Sequence, residues 1–144
     1  MVLGDARLSL RSDASARYDA IIIDAFSSDA IPTHLLTKQA VTLYLQRLTQ
    51  GGMLAVHISN RHLNLEAVLG ARAGELGLEA RIQRHRPESG TGASASNWVV
   101  MTRSLEAMGP LRVDERWQPL TGEGTRVWTD DYSDIVGLLI KPTF

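Results

Sequence analysis

Two aspartates follow an apolar run, and their spacing suits chemistry on a positively charged substrate. Residues 18–36 read "YDAIIIDAFSSDAIPTHLL", with Asp24 directly after three isoleucines and Asp29 five residues later. Free alkylamines, with a pKa of about 10.4, are almost wholly charged at neutral pH. A carboxylate at hydrogen-bond distance can bind such a cation and accept its proton. A second carboxylate nearby can bind the far ammonium of a diamine.

Two buried strands must position these side chains. Residues 19–24, "DAIIID", predict a strand buried on both faces, because the apolar run is continuous and rich in β-branched residues. "MLAVHIS" at 53–59 predicts a second strand, and a helix that begins near Leu36 and ends at Gly51-Gly52 joins the two. In an open α/β sheet, ligands bind at the carboxyl ends of the parallel strands. Asp24 and the segment "HISN" at 57–60 both stand at such ends.

The remaining chain continues the alternation of strands and helices. The pattern predicts a helix from an Asn64 N-cap to Gly77, strands at 78–83 and 97–102, a loop at 87–96, a short helix capped by Ser104, an irregular segment at 111–127 and a final helix or extended piece at 132–140. This order predicts the α/β class, a doubly wound, mostly parallel sheet that ends in an antiparallel pair.

Composition limits the possible functions. The 144 residues predict a single domain, 1–144, and 15 basic against 16 acidic residues give no field that would attract nucleic acid or anionic lipid. No apolar stretch approaches the roughly 18 residues of a membrane span, and the first residues lack the pattern of a signal peptide. The absence of cysteine and the spacing of the four histidines predict no metal site. We expect a cytoplasmic protein without membrane contact.

Several motifs resemble one enzyme family. "GDAR" at 4–7, "DAFSSDAIP" at 24–32, "HISN" at 57–60 and "WTDDYS" at 128–133 are similar to those of the spermidine synthase-like family, the polyamine aminopropyltransferases. The resemblance implies a Rossmann-like fold of the class I S-adenosylmethionine-dependent methyltransferase type. It also implies transfer of an aminopropyl group from decarboxylated S-adenosylmethionine to a primary amine such as putrescine, without a metal.

The resemblance also implies roles for individual residues. Asp24 matches the aspartate that accepts a proton from the attacking amine, and Asp29 is similar to the second loop aspartate that holds the diamine. His57 stands where the family carries a glutamine, and Tyr132 lies in the closing motif, so both are expected to bind substrate. Asp5 and Ala6 match the pair that contacts the nucleoside of the co-substrate.

The chain also departs from the family pattern. The two loop aspartates are five residues apart rather than three, so the resemblance leaves the amine open. The glycine-rich turn that begins the family's cofactor site is not in the sequence, which starts at what resembles the end of the third strand. The expected fold is therefore partial, with the first two strands missing, and corresponds to the carboxyl-terminal part of the catalytic domain. Without them the strand at 19–24 becomes an apolar edge, so we expect a homodimer or higher oligomer.

Other interpretations of the same residues stay open. Asp24, Asp29 and Asp5 could cap local backbone turns, and His57 could be a buried histidine with satisfied hydrogen bonds. Tyr44 is expected to pack in the helix interface, and Trp128 and Tyr132 in the core or at its rim. Two alternatives to an aminopropyltransferase remain: a methyltransferase that uses intact S-adenosylmethionine, and a non-catalytic relic or assembly module. Whether the chain is itself an enzyme is left open.

Overall fold

The computed structural model describes residues 6–24, 33–59, 63–90, 92, 94–122, 128–133 and 135. The α-helices are α1 (Ala6–Ser12), α2 (Lys38–Arg47) and α3 (Leu65–Leu76), and 3₁₀ segments lie at Thr33–Leu35 and Glu106–Arg112. The strands are β1 (Tyr18–Ile23), β2 (Leu48–His57), β3 (Glu79–His85), β4 (Ser96–Thr102) and β5 (Trp117–Pro119). The predicted α/β class is confirmed.

The five strands form one mixed sheet in the order β1-β2-β4-β3-β5. β1 pairs with β2 in parallel, whereas β2–β4, β4–β3 and β3–β5 are antiparallel pairs. Consequently β1, β2 and β3 run in one direction, joined through α2 and α3 as the doubly wound order predicts. The expected antiparallel pair at the end is β3 with β4. Parallel pairing is less extensive than expected, because β4 returns between β2 and β3 and separates two strands of the same direction.

One face of the sheet forms the core. The register aligns Ile21 with Leu54 and Ile23 with Val56, and all four side chains are buried. The buried side chains of α2 and α3 belong to the same cluster; they are Ala40, Val41, Tyr44, Leu65, Val68 and Leu69. The two helices therefore cover this face, and Tyr44, expected in the helix interface, is buried in this cluster.

The opposite face of the sheet is open at β1. Ile22 aligns with Ala55, which in turn aligns with Val100, so these three side chains point away from the helices. Ile22 is 65% exposed, whereas Val100 is buried, and the 3₁₀ segment Glu106–Arg112 lies against β2 and β4. The expectation that the strand at 19–24 is buried on both faces is wrong, because β1 lies at the edge of the described sheet.

The ends of the helices follow local signals to different extents. Both ends of α3 are capped as predicted. At its start the Asn64 side chain accepts a hydrogen bond from the Ala67 N–H at 3.2 Å, and at its end Gly77 adopts the left-handed conformation. α2 ends at Arg47, earlier than predicted, because Leu48 already begins β2. The glycine pair 51–52 therefore lies within β2, where the register against β1 shifts. α1 and the three-residue β5 were not predicted.

Trp128 joins the segment 128–133 to both helices. Its side chain is fully buried, as expected of a core aromatic, and its carbonyl accepts from the Lys38 backbone N–H at 2.9 Å. The same carbonyl accepts from the guanidinium of Arg72, which is fully buried in α3 and also pairs with Glu75. Burial lowers the pKa of Arg72, and the negative charge of Glu75 opposes that shift. The hydrogen bonds offset the cost of burying this charge.

Asp130 ties the same segment to the start of α2. Its carboxylate accepts from the Thr37 hydroxyl at 2.6 Å and pairs with the guanidinium of Arg7 in α1. The Arg7 hydrogen bond is the largest cause that lowers the pKa of Asp130. We call the set Arg7, Thr37, Arg72, Trp128 and Asp130 the clamp.

Candidate functional site

Asp24 and His57 lie side by side at the carboxyl-terminal edge of the two parallel strands. The register aligns Ile23 with Val56, so the next residue of each strand, Asp24 after β1 and His57 in β2, points to the open face of the sheet. His57 Nδ1 lies 2.7 Å from Asp24 Oδ1. Asp24 therefore pairs with a residue of the neighbouring strand.

The hydrogen-bonded chain continues through His57 to Ser59. His57 Nε2 lies 2.6 Å from Ser59 Oγ, and that oxygen accepts from the Asn97 backbone N–H at 2.8 Å. An ionised carboxylate can only accept, so Nδ1 of the imidazole must carry the hydrogen that faces Asp24. In a neutral imidazole Nε2 is then an acceptor, and the Ser59 hydroxyl donates to it. The two distances therefore fit a neutral imidazole that carries its hydrogen on Nδ1.

Trp98 fixes the plane of the imidazole. It is the cross-strand partner of His57 in the β2–β4 pair, and the two rings stack with centroids 4.8 Å apart and planes 21° from parallel. The Ile58 N–H donates to the Asn97 carbonyl at 2.9 Å, which holds the two strands together at this point. We call Asp24, His57, Ser59, Asn97 and Trp98 the Asp24 network.

The carboxylate of Asp24 faces solvent. Its side chain is 63% exposed, whereas that of His57 is 21% exposed. Oδ1 bonds His57, and within the described part of the chain nothing contacts Oδ2. One oxygen is therefore held in place while the other can meet a ligand.

Three members of this network were not predicted from the sequence. Ser59 could have been found from the two-residue alternation of a strand, which places it on the same face as His57. Asn97 and Trp98 could not, because their place depends on the register between β2 and β4.

The other predicted site residues lie apart or outside the described residues. Asp29 falls in 25–32 and Asp5 in 1–5, both outside, and of Ala6 only the backbone, at the start of α1, is described. Tyr132 lies in a turn where its backbone exchanges hydrogen bonds with Thr129 at 2.8 and 3.2 Å. Its role in substrate binding stays a prediction, as do the roles of Asp29, Asp5 and Ala6.

A cavity of about 440 Å³ lies elsewhere, between α1 and α2. Its lining includes Arg7, Arg11, Lys38 and Asp130, so three cations face a single carboxylate. This charge balance disfavours a cationic substrate there. Among the residues that the structure describes, no three histidine, aspartate or glutamate side chains converge as metal ligands would.

Comparison with solved structures finds distant likeness. No protein-family model matches the chain, and no curated protein is significantly similar to it. A solved structure, MnmC2 from Aquifex aeolicus, has 21% sequence identity and a TM-score of 0.47 over 72% of this chain. The chain spans 30% of the length of that protein. A likeness at this level carries no argument about function, so the assignment rests on the site itself. Within the described ranges, no helix combines the length and apolar character needed to cross a bilayer.

Proposed function

We propose that the chain carries the amine-activating site of an alkyltransferase, with Asp24 as the proton acceptor. The observation that carries this proposal is the exposed Asp24 carboxylate just after β1, with Oδ1 bonded to His57 and Oδ2 without a hydrogen bond to any described residue. Ligands of open α/β sheets bind at this edge. A carboxylate that only closed a local turn would have no reason to pair across two strands.

The chemistry needs a base rather than a nucleophile from the protein. The lone pair of the amine attacks the carbon next to a positively charged sulfur, the C–N bond forms, and the C–S bond breaks with its electron pair going to sulfur. That lone pair becomes available because the bound ammonium gives one proton to Oδ2 of Asp24 as the C–N bond forms, and the product leaves as a secondary ammonium. The negative carboxylate also favours both cationic partners at the start of the reaction, and much of the acceleration comes from holding them together.

The motifs favour an aminopropyl donor and a diamine acceptor. "DAFSSDAIP" resembles the loop of the polyamine aminopropyltransferases, so we propose decarboxylated S-adenosylmethionine as donor and putrescine or a related primary amine as acceptor. In this proposal Asp29 and Tyr132 bind the amine, while Asp5 and Ala6 contact the nucleoside. Intact S-adenosylmethionine, as in a methyltransferase, is the competing donor.

The experiment offers both donors with a panel of amines and identifies the products by mass spectrometry. We expect the mass of an aminopropyl group to be added to putrescine, and a smaller rate with a monoamine of the same length. Asp24→Asn should lower the rate by about 100- to 10,000-fold, the usual contribution of a general base.

Asp19→Asn is the matched control. Asp19 is exposed on the same strand, where its Oδ1 accepts from the Thr49 hydroxyl at 2.9 Å, away from the carboxyl-terminal edge. Wild-type rates in the Asp24→Asn variant, or no transfer by the folded chain from either donor, would contradict the proposal. Methyl transfer from S-adenosylmethionine would favour the methyltransferase alternative.

A further inference from the structure

We propose that His57 is a positioning residue: by holding Oδ1 of Asp24 it makes Oδ2 the oxygen that receives the amine proton. Ser59 supports it by keeping the imidazole in the Nδ1–H tautomer. The inference rests on the proposed function, because it assigns a role within the same reaction. It differs from the expectation that His57 binds substrate, since both ring nitrogens are engaged inside the protein.

The carboxylate needs such a partner because it is exposed. The two oxygens of an isolated aspartate are equivalent, and the group rotates readily about its terminal bond. The hydrogen bond of 2.7 Å from Nδ1 removes that equivalence. Proton transfer depends on a defined distance and direction. It is therefore faster to an oxygen that is held in one place than to one that samples several orientations.

Ser59 matters because a neutral imidazole can place its hydrogen on either nitrogen. With the hydrogen on Nε2, the lone pair of Nδ1 would face the carboxylate oxygen, which is repulsive. The hydroxyl of Ser59 lies 2.6 Å from Nε2, where it can donate to that nitrogen only in the other tautomer, with the hydrogen on Nδ1. The Asn97 N–H holds the Ser59 oxygen in turn, and Trp98 stacks on the ring. The β2–β4 pair thereby fixes the orientation of the imidazole, and the imidazole fixes that of the exposed carboxylate.

Asp24, His57 and Ser59 are hydrogen-bonded in the order Asp–His–Ser, which is also the order in the catalytic triad of serine hydrolases. A nucleophilic role for Ser59 is disfavoured because its oxygen already accepts the Asn97 N–H at 2.8 Å, in the hydrogen-bonded frame of the sheet. That bond draws electron density from the atom that would have to attack. A serine that supports the tautomer, rather than one that reacts, is therefore the role that fits.

The first test measures where the His57 hydrogen resides, independently of any activity. Nitrogen-15 NMR of the full chain is recorded at about pH 8.5, above the ordinary histidine pKa of about 6.5, so that imidazoles are neutral. We expect the hydrogen on Nδ1 in the wild-type protein, and a shift toward Nε2 in Asp24→Asn and Ser59→Ala. A wild-type hydrogen on Nε2 would overturn the proposal.

The second test uses two amides that imitate different nitrogens of the ring. The amide nitrogen of asparagine stands close to the position of Nδ1, and that of glutamine close to Nε2. His57→Asn should therefore keep kcat within about tenfold of wild type, whereas His57→Gln should lose about 100-fold in kcat, the effect of misplacing a reacting group by about an ångström. KM for putrescine should change little in either variant, because the charge of Asp24 remains.

The outcomes separate the two proposals. Equal kcat values in the two amide variants, or wild-type kcat in His57→Ala, would overturn the role of His57 while leaving Asp24 as the base. Covalent labelling of Ser59 by a fluorophosphonate would overturn it in favour of a nucleophilic serine. An Nδ1 hydrogen in a folded wild-type chain that transfers nothing would instead contradict the proposed function.

Discussion

The molecule holds two networks of polar side chains, and they use their hydrogen-bonding capacity differently. In the clamp, the Asp130 carboxylate meets two donors and the fully buried Arg72 guanidinium meets a carbonyl and a carboxylate. In the Asp24 network the carboxylate is 63% exposed and only Oδ1 is engaged by the described residues. One network uses its charged groups inside the protein, and the other leaves a charged oxygen facing outward.

This difference in the exposure of the charged groups distinguishes a network that stabilises the fold from one that can meet a ligand. A buried charge persists only when it is paired and hydrogen-bonded, and removing one member destabilises the fold. An exposed carboxylate contributes little to stability, so its ordered support by His57, Ser59 and Trp98 has no evident structural purpose. We infer that the clamp holds the helices against the 128–133 segment and that the Asp24 network serves chemistry. Changes in the clamp should act mainly on stability, and changes at Asp24 and His57 mainly on activity.

The largest stability effect is expected at Arg72. Arg72→Met removes charge-assisted hydrogen bonds to Trp128 and Glu75 from a fully buried position, so we expect a loss of about 2 to 3 kcal/mol in the free energy of unfolding. Urea denaturation measures it, and the His57 tautomer of the folded variant should be unchanged.

Lys38→Met is the matched control, since Lys38 pairs with the same glutamate at 2.7 Å on the surface. It should cost less than about 1 kcal/mol. Equal effects of the two substitutions would contradict the view that burial, rather than the ion pair itself, makes the clamp important.

A smaller, pH-dependent effect is expected at Asp130. Its pKa is lowered from the ordinary value of 3.8, first by the Arg7 hydrogen bond and then by Thr37. The stabilisation is therefore fully present above that value and is lost as the pH falls from it through the lowered pKa. Because the side chain is 39% exposed, we expect Asp130→Asn to cost about 1 kcal/mol or less at pH 6.

The check is a set of urea midpoints for wild type, Asp130→Asn, Arg7→Gln and the double variant, between about pH 6 and pH 3. The difference between wild type and Asp130→Asn should shrink toward the acid end. Strictly additive effects of the two substitutions at pH 6 would show that Arg7 and Asp130 do not act together.

The smallest effect on the folded monomer is expected at Ile22, although it should change assembly. We propose that the chain forms a homodimer or higher oligomer with β1 near the interface, because this edge strand exposes Ile22 on the open face. Ile22→Lys should shift the assembly toward monomer in analytical ultracentrifugation. Val113→Lys, at another exposed apolar side chain, should not. A wild-type chain that is monomeric at every concentration would contradict the proposal.

Much of the fold could be predicted because its signals are local. The caps of α3, the apolar run of β1 and the alternation of β3 are written in a few neighbouring residues. The position of β4 between β2 and β3 was not predicted, because strand order depends on contacts between distant residues. α1 and β5 are too short to give a clear periodic pattern, and the burial of Ile22 was misjudged because a continuous apolar run does not show which face of a strand stays uncovered.

The site was predictable to the same extent. The parallel order of two strands is enough to place Asp24 and His57 at one edge, and the structure adds the bond between them. The stacking of Trp98 and the Asn97 N–H require the antiparallel register with β4, which no local pattern gives. The clamp was missed for a similar reason, since Asp130 and its partner Arg7 are 123 residues apart in sequence.

The most direct test of the account is where a diamine binds. Proton–nitrogen correlation spectra of the wild-type chain are recorded during a titration with putrescine, and again for Asp24→Asn and Asp19→Asn. We predict that the largest shift changes fall at residues 22–24, 57–59 and 97–98, and that they vanish in Asp24→Asn but not in Asp19→Asn. Shift changes that persist in Asp24→Asn, or that centre on the cavity between α1 and α2, would contradict it.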